Sequence, residues 1–194
     1  MAVLSSMTHW RSIRVLLVLS AMLSVSKPAL FGQTTISKEY QIKAAFLFNF
    51  AQFVEWPPTA FANSNTSFCI GILGDDPFGA ALDETVRGET IDNRKITIKR
   101  ARQIGDLENC QMIFVSRSAR NRIPQILSRL DSKPILTVSE VEGFAQQGGG
   151  INFYLEGKKV RFEINPTVVK SDGLIISSQL VSLGKIVQQT KEGK

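Results

Sequence analysis

The chain has 194 residues, 43% of them hydrophobic, which suits one well-packed domain and is too little for two. Its formal charge of +6 falls to +3 once residues 1–32 are set aside, because Arg11, Arg14 and Lys27 go with them, so a basic surface is not supported and no nucleic-acid partner is expected. The single histidine, His9, lies in the same segment, which removes Ser-His-Asp and Cys-His catalysis and histidine-based metal sites from the rest of the chain.

Residues 1–32 read as a cleaved secretory signal. Arg11 and Arg14 precede the apolar run Val15–Val25, which is too short to span a bilayer, and cleavage is expected near Gly32, although Leu30 fits the small-x-small rule poorly. No cysteine follows the run, which argues against a lipoprotein. Residues 33–190 are expected to form a single α/β domain, with 191–194 (KEGK) as a frayed tail.

The stretch Tyr40–Pro57, YQIKAAFLFNFAQFVEWP, places Gln41, Asn49, Gln52 and Glu55 in one narrow arc at about 100° per residue and predicts a helix buried over most of its circumference. Phe46, Phe48, Phe50 and Phe53 would each contribute roughly 1.5–3 kcal/mol if fully buried. Lys43 breaks the pattern: it projects from the apolar side and must snorkel outward, meet a carboxylate, or lie in a partner contact. Trp56-Pro57-Pro58 is expected to end the helix.

Phe68–Gly74 reads as a strand feeding the turn GDDPFG, with Asp75 or Asp76 capping a helix that starts at Pro77 and stops at Gly88. Arg94–Lys99 alternates like an edge strand, 104–109 is a polar connection, Met112–Ser116 a buried strand, and Ser118–Leu130 a helix with Pro124 in its first turn. Pro134–Val138 is a further strand, Ser139–Gln147 a short helix ending at Gly148-Gly149-Gly150, and Ile151–Tyr154 with Lys158–Ile164 a hairpin turning at Glu156-Gly157. Asn165-Pro166 caps a short helix, Leu174–Ile176 is a last short strand, and Ser178–Gln189 a helix. The alternation predicts an α/β fold: a mainly parallel sheet flanked by helices on both faces, with a late β-hairpin.

The only cysteines, Cys69 and Cys110, form an even pair, which in an oxidising compartment reads as a disulfide; both open strand-like runs, as a bridge between the starts of neighbouring parallel strands requires. Two buried free thiols are the alternative. GDDPFG sits where open α/β sheets bind ligands, so Asp75, Asp76 and Phe78 are candidate partner- or ligand-binding residues. Magnesium held by the two aspartates is weighed against a simple capped turn, which is preferred. The triple glycine precedes a strand and does not suit a phosphate loop. Ser182-x-x-Lys185 and Ser171-Asp172-Gly173 weakly match elements of penicillin-recognising enzymes, but in the wrong order and without K-T-G. If Val160, Phe162 and Ile164 point inward, Arg161, Glu163 and Asn165 share the outer face, either as a solvated row or as a partner-binding edge containing the carboxylate that meets Lys43.

The ordered set Tyr40-x-x-Lys43-Ala44-Ala45-Phe46-Leu47-x-Asn49-Phe50-x-x-Phe53-x-x-Trp56-Pro57, Gly74-Asp75-Asp76-Pro77-Phe78-Gly79, Gly148-Gly149-Gly150-Ile151-x-Phe153, Arg161-Phe162-Glu163-Ile164-Asn165 and Gly173-Leu174-x-x-Ser177-Ser178-x-Leu180 resembles the YfiR family of bacterial periplasmic proteins. The resemblance implies a compact, non-enzymatic α/β domain with no cofactor, exported to the periplasm. It also implies that the domain binds the periplasmic sensory domain of an inner-membrane diguanylate cyclase, or of another sensor, and represses it, lowering cyclic di-GMP and biofilm formation. An OmpA-like outer-membrane lipoprotein is the implied antagonist. A periplasmic small-molecule binding module, with the GDDPFG loop and the Arg161 row around one pocket, is the alternative, and a homodimer is left open. Some relatives carry a second cysteine pair that this chain lacks.

Overall fold

A computed structural model describes residues 38–188; the expected signal segment, the tail and the end of the last predicted helix lie outside the described residues. The aromatic stretch forms helix α1 (Lys38–Phe53). Its polar arc is exposed as read, but only Phe50 of the four phenylalanines is fully buried; Phe46, Phe48 and Phe53 pack at the rim of the core. The helix stops at Phe53, ahead of the prolines, because Val54–Glu55 (β1) leaves it to pair antiparallel with Ile175–Ile176 (β9), and Ser177 N donates to Phe53 O.

The main sheet follows from apolar runs. Phe68–Leu73 (β2), Met112–Val115 (β5) and Leu136–Ser139 (β6) are apolar or small on both faces because both faces are covered. Arg94–Ala101 (β4) alternates because it lies near an edge, where Thr90–Ile91 (β3) is its only outer neighbour. Ile151–Glu156 (β7) and Lys159–Ile164 (β8) form the expected hairpin, and Lys185–Ile186 (β10) adds a parallel strand at the far edge. The order is β10-β8-β7-β6-β5-β2-β4-β3, parallel except at the β7–β8 and β3–β4 pairs.

Alternate residues feed two cores. Phe68, Ile70, Ile72, Met112, Phe114, Ile151, Phe153, Phe162 and Ile164 face α1, Ala80–Thr85 (α2), Pro166–Ser171 (α4) and Ser178–Leu183 (α5). Leu73, Ile113 and Val115 face the other way, onto Ile123–Leu130 (α3), Leu107 and Phe144. The structure is thus an α/β fold with a mainly parallel sheet, helices on both faces and a late hairpin. Cys69 and Cys110 are joined across the starts of β2 and β5, closing a separation of 41 residues, worth about 4 kcal/mol in the chain-entropy model.

Three elements differ from expectation, each for a local reason. Residues 139–147 form successive turns rather than a helix: Gly143 adopts φ +75°, Ser139 Oγ accepts from Val141 N, and that hydroxyl donates to Val115 O. Ahead of α3, residues Arg117–Arg122 are 3-10, and the α-helix begins only at Ile123, where Pro124 needs no donor partner. The last helix stops at Leu183. Gly184 is extended there, and a Cβ on it would collide with Phe162 and Ile164, so the chain can press onto β8 and continue as β10.

Candidate functional site

The carboxyl ends of the parallel strands gather most of the polar chemistry. From β2 the chain crosses through α2 to β4 on one side, then returns past Leu107, on the opposite face, to β5 on the other side. The connections therefore diverge at the ends of β2 and β5, the usual ligand position in open α/β sheets. GDDPFG occupies that point. Gly74 has φ +96°, and a Cβ there would collide with the hydroxyls of Ser116 and Ser118. Asp75 N donates to Ser118 Oγ at 2.8 Å.

The two aspartates are engaged by arginines: Asp75 with Arg102 at 3.0 Å, Asp76 with Arg100 at 2.7 Å. Hydrogen bonds to Asp83 and then Asp76 raise the Arg100 pKa further. Asp76 does not cap a helix at Pro77. It accepts from Phe78 N at 2.8 Å and braces a turn, and α2 starts only at Ala80. Phe78 is not available for a surface contact: it is fully buried, edge-on to Phe114 at 4.8 Å and to Tyr40 at 5.7 Å, because the turn folds its ring under α1.

One step along the sheet, β5 and β6 end side by side, with Val115 opposite Ser139, and just beyond them Arg117 and Glu140 meet at 3.3 Å. Across them lies the first part of α1, which delivers Glu39, Tyr40 and Lys43. Lys43 does not snorkel. It is 1% exposed, bridges Glu39 one turn back and the buried Glu140, and lies 4.7 Å over the Tyr40 ring. An ammonium so deep must be paired in place, and the carboxylate comes from the end of β6, not from β8. The Tyr40 hydroxyl donates to both Glu140 oxygens, at 3.1 and 3.2 Å. Burial, reinforced by the Glu140 charge, pushes its pKa up to about 12, so it remains a donor.

This network forms one wall of a cleft of about 550 Å³, whose other walls carry Gln146, Phe153, Glu163 and Lys185. Glu163 accepts from Lys185 Nζ and from Gln146 Nε2, both at 2.9 Å, and the first contact raises the Lys185 pKa. Lys43 and Glu163 thus line one cleft without touching. Arg161 is exposed and reaches Glu156 at 3.2 Å. Asn165 does not share its outer face: it is fully buried, donates to Ala145 O and accepts from Val168 N as the cap of α4. Nor do the GDDPFG loop and the Arg161 row surround one pocket, since β2 and β8 are four strand spacings apart, about 19 Å.

Glu140, Arg117 and Tyr40 are the members of this site that the sequence reading did not single out. The one available signal was the buried position of Lys43, which demanded a carboxylate without saying which.

No curated protein matches the chain. Among solved structures it is similar to the ABC domain in complex with L-Trp from Streptococcus pneumonia, at 11% identity and TM-score 0.49, with 77% of this chain and 60% of that one covered. It is also similar to a conserved domain protein from Vibrio cholerae O1 biovar eltor, at 9% identity and TM-score 0.50, with coverages of 76% and 59%. The chain therefore spans about three fifths of the length of both structures, and the second likeness is one of fold. Residues 40–185, well over half of the chain, match the model of the YfiR/HmsC-like family, and the chain belongs to that family.

Proposed function

We propose that this protein is a non-enzymatic periplasmic regulator that binds the periplasmic sensory domain of an inner-membrane diguanylate cyclase and represses it, lowering cyclic di-GMP and biofilm formation. Family membership over residues 40–185 carries this reading. Residues 1–32 act as the export signal, and 33–190 as the regulatory domain. Among the described residues no helix is long and apolar enough to cross a membrane, which accords with a domain that reaches its membrane partner by docking. Repression requires tighter binding to the inactive sensor than to the active one. An OmpA-like outer-membrane lipoprotein relieves it by sequestering the regulator.

The exposed charges around the Lys43 cleft, Arg117, Lys185 and Glu142, form the docking rim, which Arg161, two residues before Glu163 on β8, extends. Asp75 and Asp76, already engaged by arginines, serve the loop. The test is cellular cyclic di-GMP after deletion of the gene, complemented with forms carrying or lacking residues 1–32. The expected result is a rise reversed only by the exported form; no rise, or reversal by both forms, refutes the reading.

The cleft also favours a second reading, a small-molecule module feeding another sensor, because a buried ion network beside an open cavity of about 550 Å³ is a usual setting for a ligand. Ligand-induced thermal stabilisation without any partner separates the two.

A further inference from the structure

A cavity of about 320 Å³ lies between the last turns of α3 and α4, helices that pack on opposite faces of the sheet. Its walls combine hydrocarbon from Pro124, Leu127, Leu130 and Val168 with two carboxylates, Asp131 and Asp172, and neither lysine nor arginine lines it. Asp131 is the C-cap of α3 and Asp172 the C-cap of α4. A helix C-terminus carries partial negative charge and favours cations, so an aspartate at each of two converging ends is the reverse of the stabilising arrangement.

The nearest basic side chains do not compensate. Arg129 and Lys133 both turn away to Glu108, the latter at 2.7 Å, and Lys170 is exposed outside the cavity. Asp172 is only 9% exposed, yet among the described residues its carboxylate accepts a single hydrogen bond, from Ser132 N to Oδ1 at 3.2 Å. Oδ2 has no protein donor among them and is reached from the cavity. A largely buried carboxylate in this position lacks the counter-charge that such groups ordinarily have.

We propose that this cavity binds a small organic ammonium ion, with the ammonium group at Asp172 and Asp131 and the alkyl part against Leu127, Leu130 and Val168. The wall is mixed, with Ser128, Thr137, Gln147 and Ser171 beside the hydrocarbon, so it offers alkyl contacts that a bare metal ion would not use, and no group of three or more candidate metal ligands occurs among the described residues. Burial, with a smaller contribution from the charge of Asp131 on the same cavity wall, holds Asp172 up at about 7. A bound cation favours the ionised carboxylate, so affinity rises with pH through that region. The inference is independent of the cyclase reading and concerns a cavity that shares no lining residue with the Lys43 cleft.

The test is calorimetric titration of the purified protein with pentylammonium chloride, with pentan-1-ol as the neutral analogue. Saturable binding is expected for the ammonium and not for the alcohol, at least tenfold weaker in Asp172→Asn, which keeps the acceptor for Ser132 N. Ser128→Trp, an exposed position on α3 at the cavity wall, should abolish binding without touching either carboxylate. It is the deciding variant should Asp172→Asn fold poorly. No saturable heat, equal binding of the alcohol, or unchanged affinity in Ser128→Trp overturns the proposal.

Discussion

Replacing Lys43 with methionine keeps the length and packing of the side chain and removes its charge, so the loss of stability reports on the buried network alone. Glu140 would then remain at the end of β6 with its side chain 3% exposed. Removing one partner of a buried ion pair typically costs about 3–5 kcal/mol, because the other charge is left uncompensated. Here Glu140 keeps the Tyr40 hydroxyl and the largely solvent-exposed guanidinium of Arg117 at 3.3 Å, so the lower end applies, about 3 kcal/mol. For a domain of this size that lowers Tm by about 6–12 °C.

The second half of the cycle is Glu140→Gln. In the Lys43→Met background it removes the stranded charge while keeping one acceptor oxygen for the Tyr40 hydroxyl, and it should recover at least about 1 kcal/mol rather than add a further loss. Urea unfolding of the four proteins at neutral pH measures all the terms. A loss below about 1 kcal/mol for Lys43→Met, or a double variant no more stable than the single one, would refute the claim that this pair is desolvated and coupled.

Phe50→Ala should cost about 3–5 kcal/mol in the same assay, since the ring is fully buried and stacks on Phe153 at 5.6 Å and edge-on to Phe162 at 5.0 Å; an unchanged Tm would contradict its place in the core. Arg161→Ala should leave stability within about 0.5 kcal/mol because its pair with Glu156 is exposed, while weakening capture of a sensor domain; a large loss of stability, or unaltered capture, would remove it from the docking rim. For Asp172, burial raises the folded pKa from 3.8 to about 7, so the folded state holds a proton the unfolded chain has lost, and stability falls as pH rises between those values. The full shift corresponds to roughly 4 kcal/mol, reduced to about 2 by solvent in the adjoining cavity, so Asp172→Asn should gain about that much at pH 8 and much less near pH 4; a pH-independent difference would contradict it.

The central strands and the hairpin were legible because their causes are local, whereas the two-residue strands β1, β3 and β10 were not. FCIGIL and MIFV are apolar on both faces, so no register shift could leave them half wet, and Asn165-Pro166 carries both an acceptor and a φ suited to a helix start. The errors arise where a distant contact decides. Of the two carboxylates on Lys43, Glu39 follows from i,i+4 spacing within α1, but Glu140 lies 97 positions away, which no spacing rule within α1 could supply. Phe78 looks like an exposed loop aromatic until α1 is laid over it, and SEVEGFAQQ has helical composition but contains Gly143 in a left-handed conformation. Ser178–Gln189 likewise reads as continuous helix until the close approach of Gly184 to Phe162 is known. Sequence patterns report which face of a segment is buried; they do not report what lies against it.

The two buried carboxylates make the same distinction in chemical terms. Glu140 receives Lys43, Arg117 and both interactions with the Tyr40 hydroxyl, so its charge is balanced from within the chain and its role is to pin the start of α1 to the end of β6. Any partner docking at that cleft must compete with ion pairs already made, and Arg117, the most exposed cation of that network, is the first it would meet. Asp172 has one backbone donor, a second aspartate nearby and two helix ends of the same sign beside it. The fold gains nothing from ionising that group, and the pH dependence of its effect on stability measures how much a cation bound there would return.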